Sequence, residues 1–147
     1  MAEFKVDGIS QLMLDLADIA AMPAEVQDEM LNAQADVVVA AQEAKGRQMG
    51  VFDPTNTTGK HVVTSIKKTR VKVQRGGVRV IYVYPQGTRT RGRGKKTRNA
   101  EIAFVNEYGT RTQAGRPFIR QANEESAKRT TEAAAAVYDR FLQSKNL

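Results

Sequence analysis

Apolar residues recur at three- and four-residue spacing in three stretches of the chain and at two-residue spacing in one. Residues 8–20, GISQLMLDLADIA, put Ile9, Leu12, Met13, Leu16, Ile19 and Ala20 on one helical stripe. Pro23 suits the first turn of a second helix, where a missing N–H costs nothing, and Glu25 suits the positive end of its dipole. The spacing predicts that helix over 23–45, with Val26, Met30, Ala33, Val37, Ala41 and Ala44 on one face and Gly46 near its end. At 1.5 Å per residue it would be about 34 Å long, enough to span a domain whose radius of gyration is roughly 15 Å. Val38 and Val39 fall off the stripe, which leaves two options for that part of the helix: a neighbouring subunit or solvent. A terminal helix is predicted over 117–143, opened by Pro117, with Phe118, Ala122, Thr130, Ala133, Val137 and Phe141 on one side.

The two-residue period falls in 69–84. Val71 and Val73 alternate with Lys72 and Gln74, Gly76-Gly77 interrupts, and VRVIYVY continues. This predicts a β-hairpin with a two-residue Gly-Gly turn, since both central positions of a primed turn need positive φ. Val78, Val80, Tyr82 and Tyr84 share one face; Ile81 and Val83 make the other apolar too, so the strand should be covered on both sides. Residues 50–60 are turn chemistry and 61–68, HVVTSIKK, fit one or two helical turns. The 100–111 stretch, AEIAFVNEYGTR, is a further apolar segment. The fold class expected is α+β, long amphipathic helices on a small antiparallel sheet, in a single domain over 1–147.

Charge changes this picture at one place. The net charge is +7, and Arg89, Arg91, Arg93, Lys95, Lys96 and Arg98 supply six of it within twelve residues that hold no acid, 87–98. That stretch has no aliphatic side chain. Residues 86–99 therefore read as a long mobile basic loop outside the core. Six such cations meeting a polyanion would give a log–log salt slope of at most about −5. The stretch has no aromatic residue for base stacking and no helical pattern to enter a groove, so contact with nucleic acid would be with backbone alone. An acidic protein surface, or solvent, fits the same charges.

Composition narrows the chemistry further. There is no Cys, hence no disulfide or thiolate site, and the single His cannot build a structural zinc site. His61 and Ser65 are four residues apart but lack an orienting carboxylate, and Gly94-Lys95-Lys96-Thr97 lacks the upstream Gly and flanking elements of a phosphate loop. No enzyme activity, cofactor or metal is expected. The start lacks the pattern of a signal peptide and no apolar run is long enough to span a bilayer, so synthesis in the cytoplasm and no membrane partner are the expectations.

Three separated stretches, VFDPTNTTGKHVVTSIKK, NAEIAFVNEYGT and AGRPFIRQANEES, together resemble the tail-completion (neck, or head–tail joining) proteins of long-tailed phages. That family has Asp-Thr-Gly-x-Leu-x-x-Ser-Ile after its long helix, then Tyr-Ala-x-Tyr-Val-Glu-Phe-Gly-Thr, then Ala-Arg-Pro-Phe-Leu-Arg-Pro-Ala opening the terminal helix. The match falls on Thr58, Gly59, Ser65, Ile66, Val105, Glu107, Tyr108, Gly109, Thr110, Arg116, Pro117, Phe118, Ile119, Arg120 and Ala122. Lys60-His61-Val62 departs from the usual Leu, Gln121 from a frequent second Pro, and the basic stretch is no general feature of the family. The resemblance implies a structural protein of the virion neck, made in a host bacterial cytoplasm. It would form a homo-oligomeric ring, hexameric by analogy, which joins head connector to tail tube around the DNA path beside other neck, connector and tail proteins. The alternative is a sequence-independent nucleic-acid-binding protein acting through 87–98. From the residues themselves, Gly109 should permit a turn, Pro117 start the helix and Phe118 anchor it. Glu107 should either pair with Arg116 or Arg120 or stand as a surface charge.

Overall fold

A computed structural model describes residues 17, 22–53, 61–90 and 94–146; all but Ala17 of the helix expected over 8–20, and the residues Thr58, Gly59, Arg91 and Arg93, lie outside these. The architecture is α+β. Two long helices, α1 (Ala24–Gln48) and α3 (Phe118–Ser144), pack antiparallel, and a short helix α2 (Asn99–Tyr108) lies between sheet and α3. At about 1.5 Å per residue the long helices run roughly 37 and 40 Å. They meet along small side chains, with Ala35 and Gly46 buried on α1 and Ala122, Ser126 and Ala134 on α3. Small residues let the two backbones approach, and Val137 and Phe141 fill the seam farther on. Ion pairs Lys45–Glu125 and Arg140–Glu29 mark its two ends.

The buried stripe of α1 differs from the expected one. Ala35, Gln42 and Gly46 are buried and Val39 packs on the core, while Ala44 is exposed. Gly46 lies near the helix end, as expected, but its role is spatial. Its missing Cβ makes room, since a Cβ there would stand 2.5 Å from Val63 Cγ1 and 3.2 Å from the Phe118 ring. The stripe is thus set by how closely α3 and the core approach, which hydrophobicity alone does not encode.

The core gathers at one end of the helix pair. Val51, Val62, Val63, Ile66, Ile102, Ala103 and Phe118 form it, with Val39, Met49, Val83 and Ile119 packed around. Residues 61–68 split into a 3-10 turn (Val62–Ser65), which buries both valines, and a strand β1 (Ile66–Lys68).

Among the described residues six strands form three antiparallel pairs. β1 pairs with β4 (Val83–Pro85), and β2 (Lys72–Val73) pairs with β3 (Arg79–Val80). The Lys68↔Val83 register and the Lys72↔Val80 register differ by one residue, and Thr69 N–H donates to Tyr82 O. Arg70 and Val71 therefore oppose Ile81 alone. This is a β-bulge inside one long hairpin, 66–85. Its turn has three residues, Arg75-Gly76-Gly77, closed by Gln74 N–H to Val78 O and Gly77 N–H to Gln74 O; two residues were expected. Both glycines do have positive φ, +90° and +82°. Nor is the strand covered on both faces. Val83 and Pro85 turn inward, whereas Val78, Tyr82 and Tyr84 are exposed, because α1 lies against one side only.

The basic stretch departs most from expectation. Instead of a loop over 86–99, β5 (Thr88–Thr90) pairs with β6 (Lys96–Arg98), Thr88↔Arg98 through Thr90↔Lys96. Likewise the 100–111 segment is mostly helix α2, which ends at Gly109.

Candidate functional site

Two of the three stretches that carry the family resemblance, 107–110 and 116–120, meet where α2 hands over to α3. Gly109 ends α2 with φ +77°, and a Cβ there would lie 2.6 Å from both Gln113 O and Gly115 N. Only glycine fits, on conformation and on space. Thr110 Oγ1 accepts from the N–H groups of Thr112 and Gln113, which closes the turn. Arg116 N–H then donates to Asn106 O, tying the returning chain back to α2.

Glu107 does not pair with either arginine. Its two carboxylate oxygens accept from Ile119 N–H at 2.9 Å and Arg120 N–H at 3.0 Å. Those are orphan donors of the first turn of α3, beside the positive end of the helix dipole, so the carboxylate caps the helix from twelve residues upstream. Pro117, which precedes the helix, has no side chain that could do this. Phe118 is fully buried at the head of α3 in the same core as Ile66. Ser65 Oγ donates to Val62 O, and His61 Nδ1 accepts from Val63 N–H. Both side chains are engaged with backbone of the 3-10 turn rather than with each other.

Two residues at this junction had no sequence signal. Asn106 is buried and binds the backbone of Phe52 in both directions, Phe52 N–H to Oδ1 at 2.8 Å and Nδ2 to Phe52 O at 2.7 Å. Gly115 lies so close to α2 that a Cβ would stand 3.0 Å from Glu107 O.

The same junction leaves an aromatic ridge outside. Phe104 and Tyr108, one turn apart on α2, are 62% and 71% exposed, with ring centroids 4.7 Å apart. They edge a groove of about 660 Å³ whose floor includes Pro85, Ala103, Pro117 and Ile119. Two large aromatic side chains grouped in solvent make this a candidate contact surface.

The basic residues divide. Arg89 is not available to a ligand. Its guanidinium binds the carboxylate of Asp53, whose side chain is fully buried while that of Arg89 is 11% exposed. Val62 N–H donates to the same carboxylate at 2.6 Å. Lys95, Lys96 and Arg98 are exposed.

The structure also enlarges the basic region. Residues 66–98, within which strands β1 to β6 lie, carry twelve Lys or Arg and no Asp or Glu; set those aside and the chain's +7 becomes −5. Charge is thus polarised between strands and helices, not confined to one appendage. Two of the first hairpin's cations are neutralised by α1. Lys68 Nζ lies 2.7 Å from Asp36 Oδ1, and Arg79 donates two hydrogen bonds to Asp28. Those bonds hold the Asp28 carboxyl below its usual range and raise Arg79. Among the described residues no group of His, Cys, Asp and Glu could hold a metal ion, and no helix is long and apolar enough to cross a membrane. Compared with family models, with curated proteins and with solved structures, the chain matches none.

Proposed function

We propose that the chain is a structural subunit of a phage neck, a tail-completion protein whose copies close into a ring between the head connector and the tail tube. The observation that carries this reading is the convergence of the resembling segments. Residues 107–110 and 116–120 build one junction, and Ile66, far upstream in the sequence, shares the core with Phe118 at its head. Their roles there are architectural: a helix cap, a glycine turn, a core anchor. The reading assigns no residue to catalysis. A ring built from one kind of subunit needs two different contact surfaces on each copy. The Phe104–Tyr108 ridge and its groove supply one, and the far side of the α1–α3 pair supplies the other.

The second reading, sequence-independent nucleic-acid binding through 87–98, draws support from the acid-free 66–98 region. It does so with fewer charges than the sequence suggests, since Arg89 is engaged with Asp53.

Cryo-EM of the virion neck tests the first reading. The expected result is density for this chain as a ring between connector and tail tube; its absence from purified particles overturns the proposal. Phe104→Asp with Tyr108→Asp should prevent ring closure while the subunit's melting temperature stays near that of the parent.

A further inference from the structure

The long hairpin 66–85 turns one face to α1 and the core and the other to solvent. On the solvent face Lys67 stands opposite Tyr84 and Lys72 opposite Val80, with Tyr82 between them. Tyr82 and Tyr84 are 45% and 43% exposed, and their two-residue separation puts both rings on the same side. Lys72 Nζ lies 5.8 Å from the Tyr82 ring centroid, and Gln74 Nε2 donates to the Tyr82 hydroxyl at 2.8 Å, which fixes the far end of that ring. Lys67, Arg70, Lys72 and Arg75 are exposed, and none forms an ion pair among the described residues.

We propose that this face is a stacking platform for single-stranded nucleic acid. Tyr82 and Tyr84 each take a base, and Lys67 and Lys72 take phosphates beside them. Three physical arguments select that occupant. A face that sets lysines of one strand beside tyrosines of the other and holds no acid differs by its charge from the core of a protein interface, which is enriched in Tyr but depleted of Lys. A polyanion matches its charge, and binding would release condensed counterions. The rings can stack only on bases that are not already stacked in a duplex, which selects a single strand. The spacing fits as well: two residues of antiparallel strand cover about 6.8 Å, twice the roughly 3.4 Å rise per nucleotide of a strand in a duplex. A drawn-out strand thus places a base over each ring. The site is separate from the basic stretch 87–98. It also goes beyond the neck reading, since oligonucleotide binding by the free protein tests the platform whatever the virion neck contains.

The full-length protein is titrated by fluorescence anisotropy against labelled dT20, a 20-base-pair duplex and polyglutamate of matched charge. The expected order is dT20 tightest. Tyr82→Ala with Tyr84→Ala should weaken dT20 by about tenfold or more, from the loss of two stacked bases, and leave duplex binding unchanged. Lys67→Gln with Lys72→Gln should lower the dT20 salt slope by about 1.4, at roughly 0.7 per phosphate on a single strand. Tyr82→Phe with Tyr84→Phe keeps the rings and should restore most of the dT20 affinity. Unchanged dT20 affinity in the alanine variant overturns the proposal, as does a duplex or polyglutamate bound as tightly as dT20. Photocrosslinking of the unmodified protein to a 5-iodouracil oligonucleotide needs no variant: adducts on Tyr82 or Tyr84 support the platform, and adducts confined to 95–98 overturn it.

Discussion

The two hairpins are both antiparallel, both cationic and free of acids, yet they are held to the molecule by different forces. The first, 66–85, is held by apolar burial. Ile66 and Val83 belong to the core or pack on it, and the Asp28–Arg79 and Asp36–Lys68 pairs tie its flank to α1. The second, 88–98, has no aliphatic residue at all; the Arg89–Asp53 pair anchors it instead, and Asn99 Nδ2 bonds Gln86 O at its base. A strand can thus be fixed by a single buried charge where it has no hydrophobic face to bury. A buried charge is a sharper device than a hydrophobic face, because it tolerates no loss of its partner.

Three substitutions separate the two modes of attachment. The largest effect is expected from Arg89→Met, which leaves the Asp53 carboxylate buried without its guanidinium. Removing one partner of a buried ion pair costs about 3–5 kcal/mol, and the partners that remain on Asp53, Val62 N–H among them, put this case at the lower end. Chemical denaturation gives the size, and hydrogen exchange should show amides of 88–98 losing protection before those of 66–85. Equal loss in both hairpins would mean that they open as one unit.

Ile66→Val removes one methylene from the core under the first hairpin and should cost roughly 0.5–1.5 kcal/mol. Protection should fall in 66–85 first.

The smallest effect belongs to Asp28→Asn, which removes a partly exposed pair that salt also screens. Here pH gives the cleaner measurement. The folded Asp28 carboxyl titrates below its ordinary 3.8 because Arg79 donates hydrogen bonds to it. Its stabilising contribution is therefore complete above the unfolded value and is lost as pH falls through the depressed folded one. Melting temperatures of parent and variant should converge as the pH drops below about 3.8; a constant difference across that range contradicts the linkage.

Much of the fold was legible because its cause is local. The α1 and α3 helices stand within a few residues of the spans that periodicity predicts, with Pro23 and Pro117 just ahead of each. Gly109 was legible as a turn, since positive φ is a property of the residue itself. Glu107 was readable only as a charge in search of a partner. The partner it found is the helix backbone at Ile119 and Arg120, which no charge pattern announces. The basic stretch misled for a related reason. Its lack of aliphatic residues excluded a hydrophobic anchor, and the acid that anchors it lies 36 residues upstream.

The sequence by itself determined the two long helices and the glycine turn of the first hairpin, and it carries the acid-free span 66–98, because period, turn residues and charge are carried by neighbours along the chain. Tertiary structure alone decided which cations stay exposed, which face of the first hairpin meets solvent, and that 88–90 pairs with 96–98. Each of those depends on what lies across space, Asp53 beneath Arg89 and α1 beneath one side of the strands, and burial is a property of the assembled layers rather than of any segment.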